Sequence, residues 1–198
     1  MIGTENGQVA QCKQVCAPVS MHARATAGGH TAEMLRATAA LDKSCYRPRI
    51  YVYAATDNFS ANKAKEAEKL SPSCGEAPDF CLRSVPRSRE VGQSYVTSVL
   101  TTLRAIAFAF VVVWQERPDV LLANGPGTCI PLCFAVLVFR QLRLMSCSLI
   151  YIESIARVCR LSLSGKILYH LQMADSLLVQ WPELQKHYPR TNYAGRVY

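Results

Sequence analysis

From Ile50 onward the chain alternates short apolar runs with longer segments of helical period. Ile50-Tyr51-Val52-Tyr53-Ala54-Ala55 reads as a strand and the charged segment Ser60 to Leu70 as a helix, with a loop at Ser71-Pro72-Ser73-Cys74-Gly75-Glu76-Ala77-Pro78. Phe80 to Val85 is a second strand, ended by Pro86, and Ser94 to Gln115 a long helix stopped by Arg117-Pro118. Val120-Leu121-Leu122-Ala123 is a fully apolar strand. It is followed by a helix from Cys129 to about Leu142, a buried strand over Cys147 to Ile152, a helix over Lys166 to Leu171 and a short strand over Ser176 to Val179. Such alternation predicts an α/β domain with a Rossmann-like parallel sheet and helices on both faces. Ligands of such sheets bind outside the C-terminal strand ends.

Two glycine turns mark those ends. Asn124-Gly125-Pro126-Gly127-Thr128 follows the apolar strand directly, and Thr128 can cap the helix that Cys129 begins. Ala27-Gly28-Gly29-His30-Thr31 leads into Ala32 to Leu41, where Met34, Leu35, Thr38 and Leu41 share one helical face. A strand, a glycine turn and a helix N-terminus together suit an anion such as a phosphate, because free N–H groups and the positive dipole end face the crevice. The same glycines also serve purely steric roles, and both readings stand at this point. A strong first strand ought to precede Gly28. Ser20-Met21-His22-Ala23-Arg24-Ala25-Thr26 is a poor one, made of small residues with His22 and Arg24 among them.

Composition narrows the picture. The chain has 198 residues, 50% of them hydrophobic and 18% charged, which suits one folded domain with its own core. The formal net charge is +8, but the basic residues are scattered and no reading motif accompanies them, so no nucleic-acid partner is expected. Scattered positive charge suits a diphosphate ligand, an anionic membrane surface or a plain basic exterior. Of the nine cysteines, Cys129, Cys133, Cys147 and Cys159 lie in apolar surroundings, as buried thiols of a reducing compartment do. Cys129 and Cys133 stand one helical turn apart, yet nothing completes a zinc set, and no metal is expected. Met1 to Gln11 is polar, unlike a signal peptide. No uninterrupted apolar segment reaches the roughly 20 residues that span a bilayer. Val120 to Phe139 is broken by Gly125-Pro126-Gly127, and Leu103 to Trp114 fits a buried helix; either can press into a membrane interface.

Further motifs stand at strand ends and loops: Thr56-Asp57-Asn58-Phe59-Ser60-Ala61-Asn62-Lys63, Val85-Pro86-Arg87-Ser88-Arg89-Glu90-Val91 and Tyr151-Ile152-Glu153-Ser154-Ile155-Ala156-Arg157-Val158. Leu163-Ser164-Gly165-Lys166 and Val179-Gln180-Trp181-Pro182 complete the set. With the two glycine loops, in this order, the chain from Ala27 onward closely resembles a family: the acceptor-side, membrane-anchoring subunits of the two-subunit UDP-GlcNAc transferase of asparagine-linked glycan assembly. The resemblance implies one half of a GT-B glycosyltransferase, similar to the acceptor half of the bacterial enzyme that makes lipid II. It implies a hetero-complex in which a separate donor-binding catalytic subunit holds most of the UDP-GlcNAc. It also implies a GlcNAc-diphosphodolichol acceptor, no cofactor, and a place on the cytosolic face of the endoplasmic reticulum membrane or the continuous nuclear envelope. The reaction implied is inverting transfer of the second GlcNAc onto the 4-hydroxyl of the lipid-linked GlcNAc. The alternative is an adaptor that recruits the donor subunit to the membrane and supplies no catalytic group. A self-sufficient nucleotide enzyme is disfavoured by the absence of a G-x-G-x-x-G or Walker motif.

Residues are carried over on the same terms. Gly28, Gly29 and Thr31 with Gly125, Gly127 and Thr128 are expected to cradle the diphosphate; Asn124 either orients a sugar hydroxyl or is an ordinary turn residue, and Arg87 and Arg89 either neutralise phosphate or are solvated loop charges. His30 is the candidate base, or else a phosphate contact or helix cap. Glu153 is either a second base and hydroxyl ligand or the partner of Arg157 in an i, i+4 salt bridge. Asp57 and Ser60 are expected to cap a helix, and Trp181 to be a core or interface aromatic. The family's N-terminal anchor is not evident, so residues 1–26 are expected to be an atypical segment and 27–198 the acceptor-binding domain. Val197 and Tyr198, apolar at the chain end, are expected to meet the donor subunit.

Overall fold

A computed structural model describes residues 15–19, 29–39, 46, 48–55, 57–69, 80–86, 95–125, 129–193 and 195–196, with the backbone alone for 15–19, 29–31, 58 and 95–98. In chain order the elements are β1 (Val15–Val19), α1 (Gly29–Ala39), β2 (Arg49–Ala54), α2 (Asn58–Lys69), β3 (Phe80–Val85), α3 (Tyr95–Glu116) and β4 (Val120–Asn124). They continue with α4 (Cys129–Gln141), β5 (Ser148–Ile152), α5 (Leu163–His170), β6 (Ser176–Val179), α6 (Pro182–His187) and β7 (Asn192–Tyr193).

The strands form one parallel sheet in the order β3-β2-β1-β4-β5-β6-β7. The order reverses between β1 and β4, which opens a crevice at their C-terminal ends. All five residues of β4 are buried, because a strand at the centre of the sheet has helices over both of its faces. Alternate residues divide between two cores, as the pleat demands. Val120 and Leu122 pack with Met34 of α1, Tyr51 of β2 and Ala64 of α2; Leu121 and Ala123 pack with Ala109, Val112 and Val113 of α3 and with Leu132 and Val136 of α4.

Local chemistry sets the helix ends. Asp57 caps α2, with Oδ1 accepting from the Ser60 N–H at 3.0 Å and Oδ2 from the Ser60 hydroxyl at 2.7 Å, as expected of this pair. Arg117 takes a left-handed backbone (φ 41°) at the end of α3, and Pro118 prevents continuation. Trp181 donates from Nε1 to the Ile155 carbonyl at 2.7 Å, so it joins the α6 entry to the loop after β5.

Three expectations change. The first strand is Val15–Val19, paired with β2 and β4, ahead of the segment where it was sought; Ser20–Thr26 lies outside the described residues. Cys159, expected with the buried thiols, is exposed, because it lies on the loop between β5 and α5 and not in a strand or helix facing the core. And α3 is not a buried helix. Ala105, Ala109, Val112 and Val113 face the sheet, while Val99, Leu100, Leu103, Phe108, Val111 and Trp114 are exposed, Leu100 by 72%.

Candidate functional site at the C-terminal strand ends

Among the described residues the crevice is built from α1 and from the chain at the ends of β4 and β5. At β4, Asn124 is the last strand residue and pairs with Ile152 of β5. Gly125 then turns with φ 81°, a conformation that suits glycine, and its carbonyl accepts from the Cys129 thiol at 2.8 Å. That contact ties the glycine loop to the first residue of α4. Burial pushes the Cys129 thiol up to about 12, so it is a neutral donor and not a nucleophile.

At β5 the chain passes from Ile152 into Glu153, whose N–H is held by the Leu178 carbonyl at 2.9 Å. Glu153 is fully buried and turns inward. Its Oε1 accepts from the Ser154 N–H at 3.1 Å, and its Oε2 accepts from the Ser162 N–H at 2.9 Å and the Ser162 hydroxyl at 3.0 Å. Ser162 is the N-cap of α5, and its Oγ accepts from the Gly165 N–H at 3.0 Å. The hydroxyl's one proton goes to Glu153, so at the 3.0 Å contact with Tyr151 the phenol is the donor. Burial raises the Glu153 carboxyl above its ordinary value, partly offset by hydrogen bonds from Ser162 and Ser154. The expected salt bridge to Arg157 does not form. Arg157 is exposed, its charge is the last of those influences, and the acid is satisfied instead by the helix cap.

A second buried acid, which no spacing in the sequence singles out, completes the crevice. Glu33 on α1 accepts from Asn124 Nδ2 at 3.3 Å through Oε2 and from the Ser154 hydroxyl at 3.2 Å through Oε1. One carboxylate thus joins α1 to the ends of β4 and β5. Asn124 is 1% exposed and its Oδ1 has no hydrogen-bond partner among the described residues. An unsatisfied buried carbonyl costs about 1–3 kcal/mol, so Asn124 Oδ1 is an acceptor still open to a donor.

The structure therefore brings together Asn124, Gly125 and Glu153 with the first turn of α1, which Gly29, His30 and Thr31 form. Gly28, Arg87, Arg89, Gly127, Thr128, Val197 and Tyr198 lie outside the described residues. Arg157, expected only as a partner of Glu153, and Arg160, which no motif singled out, are exposed cations on the loop between β5 and α5.

A seven-stranded parallel sheet with this order and a switch-point crevice is the fold of one half of a GT-B glycosyltransferase. It superposes on the MurG of Acinetobacter baumannii with a TM-score of 0.60 at 14% identity, over 93% of this chain and 44% of that one. The UDP-N-acetylglucosamine 2-epimerase of Rickettsia bellii matches at 0.53 and 13% identity, over 94% of this chain and 46% of that one. The chain thus spans less than half of either solved structure, and at such identity the likeness is one of fold. Residues 25–197 match the family described as "Oligosaccharide biosynthesis protein Alg14 like", and the chain belongs to that family. It is 46% identical over 176 residues to the protein of Rattus norvegicus named UDP-N-acetylglucosamine transferase subunit ALG14, covering 87% of this chain and 80% of that one. With the same-named protein of Homo sapiens it is 43% identical over 177 residues, at the same coverage. With that of Yarrowia lipolytica it is 44% identical over 168 residues, covering 85% of this chain and 76% of that one.

Proposed function

We propose that this chain is the acceptor-holding subunit of a two-subunit UDP-GlcNAc transferase, adding the second GlcNAc to GlcNAc-diphosphodolichol. The observation that carries the reading is a family match over residues 25–197 laid on a single Rossmann-like half with its crevice at the β1/β4 switch point. A lipid diphosphate fits that crevice. The N-terminal turn of α1 and the Gly125 turn offer backbone N–H groups and a positive dipole end, and Arg157 and Arg160, exposed on the loop after β5, add positive charge. UDP-GlcNAc is held mainly by a donor-binding partner chain.

His30, second residue of α1, is the candidate to take the proton from the attacking hydroxyl, since neutral imidazole is basic enough near neutral pH. Glu153 acts from behind. Its oxygens are occupied by Ser154 and Ser162, so it positions the loop between β5 and α5 and is not free to abstract a proton. The same occupancy favours a second reading, a recruiting adaptor without catalytic groups, which rests entirely on whether His30 works.

Attachment to the cytosolic face of the endoplasmic reticulum membrane is served by α3. Its outer stripe is apolar, and two cation–aromatic pairs flank it: Arg104 over Phe108 at 5.7 Å and Arg117 over Trp114 at 4.4 Å. The segment Val99–Glu116 is long and apolar enough to cross a membrane, but its inner stripe packs on the sheet. It therefore lies on the surface and does not span it. An open apolar cleft of about 240 Å³ beside it, between α3, α4 and α5, includes Ile106, Phe134 and Leu171.

The test is GlcNAc transfer from UDP-GlcNAc to a GlcNAc-diphospholipid, with and without a co-expressed donor-binding subunit. Product with both chains and none with either alone is the expected result; full activity of the isolated chain contradicts it. His30→Ala in the complex separates the two readings, because an adaptor keeps its turnover.

A further inference from the structure

Glu33 fixes which end of the Asn124 amide faces the ligand. A carboxylate accepts hydrogen bonds and donates none, so the group that Asn124 turns toward Glu33 Oε2 is its N–H₂, at 3.3 Å. The Ser154 hydroxyl occupies the other carboxylate oxygen at 3.2 Å. Rotating the amide by half a turn would set a carbonyl oxygen against the carboxylate. The Asn124 carbonyl is therefore held pointing away from Glu33, buried and without a donor among the described residues.

Building on the function proposed above, we infer that Glu33 is a positioning residue. It presents Asn124 Oδ1 as a hydrogen-bond acceptor to an O–H or N–H of the lipid-linked sugar, a hydroxyl or acetamido N–H of an N-acetylhexosamine. An ionised phosphate has only acceptor oxygens and cannot satisfy this atom. The Asn124 carbonyl thus reads the sugar, and the diphosphate is left to the helix N-termini and cations. The charge of Glu33 also explains why an acid is kept buried between α1, β4 and the turn after β5: a neutral amide in its place lets Asn124 rotate and present a donor.

The experiment uses the full chain with its donor-binding partner and reads two constants. One is KM for GlcNAc-diphospho-phytanol; the other is the inhibition constant of phytanyl diphosphate, which lacks the sugar. Glu33→Gln and Asn124→Asp each break the pairing and are expected to raise KM by about tenfold or more while leaving the inhibition constant within about twofold. The double variant Glu33→Gln with Asn124→Asp reverses the polarity. The introduced amide then donates to the introduced carboxylate and still accepts from Ser154, while that carboxylate keeps an oxygen for the sugar; KM is expected to return to within about fivefold of the parent. Asn124→Ser, which removes the amide and leaves Glu33 its Ser154 bond, gives the same contrast between the two constants if Glu33→Gln does not fold. Single variants without effect, equal losses in both constants, or a double variant worse than either single overturn the inference. A parent complex that does not turn over GlcNAc-diphospho-phytanol instead overturns the function on which the inference rests.

Discussion

A Cβ placed on Gly165 would collide with Oε2 of Glu153, the oxygen that accepts both Ser162 hydrogen bonds. The residue is a glycine because the buried acid after β5 caps α5 from within the space a side chain would need. Gly165→Ala gains about 1 kcal/mol of helix propensity but overpacks a site that typically loses about 1–3 kcal/mol. A net loss of up to about 2 kcal/mol is expected in thermal or urea unfolding of the purified chain; a raised midpoint contradicts the collision.

Glu153 also gives stability a pH dependence of defined sign. Its folded carboxyl titrates above the ordinary value because burial disfavours the charge, so the folded state holds its proton more tightly than the unfolded chain. The resulting stabilisation is present below the unfolded carboxylate value and lost as pH rises through the raised folded one. Against Glu153→Gln, which cannot titrate, the parent's midpoint temperature is expected to be relatively highest in acid and to fall toward neutrality. A difference between the two proteins that stays flat with pH removes this account.

The exposed stripe of α3 separates membrane attachment from folding. Leu100 and Leu103 are 72% and 57% exposed, so their replacement by glutamate leaves the core untouched and stability within about 0.5 kcal/mol. Flotation with vesicles rich in anionic lipid is expected to weaken by about tenfold or more, through lost apolar area and added negative charge. Binding that survives both substitutions places the attachment elsewhere.

Thiol mapping tests the packing of the cysteines. Cys129, Cys133 and Cys147 are buried and Cys159 is exposed. Burial pushes Cys147, like Cys129, up to about 12. Brief alkylation at neutral pH followed by peptide mass analysis is expected to label Cys159, and the three buried thiols only after denaturation.

The sequon Asn58-Phe59-Ser60 opens α2, and Phe59 is 46% exposed. On a cytosolic face it stays unmodified. A glycan at Asn58 in protein isolated from cells would reverse the assigned topology.

The alternation of strands and helices was legible because each buried strand of a parallel sheet needs an apolar run and each covering helix an apolar stripe. Phe80–Val85 and Ser176–Val179 coincide with the expected bounds, and Asp57 meets Ser60 as the pattern of a cap requires. The first strand was not found where it was sought, because Val15-Cys16-Ala17-Pro18-Val19 is short, contains a proline and is separated from Gly29 by nine residues. The sequence left the outer face of α3 open between burial and a membrane interface, because apolar residues all around a helix look the same in sequence whether their outer side meets protein or a membrane.

By itself the sequence determined the class of fold, the turn at Gly125 and the family, since these depend on local period, on a residue suited to a special backbone angle and on motifs in fixed order. Tertiary structure alone decided what the acids do. Glu153 has Arg157 one helical turn away in sequence, yet it bonds to Ser162; Glu33 lies 91 residues from Asn124 and still orients its amide. Hydrogen bonds act over about 3 Å, and only the meeting of α1, β4 and β5 at the switch point brings such residues within that reach.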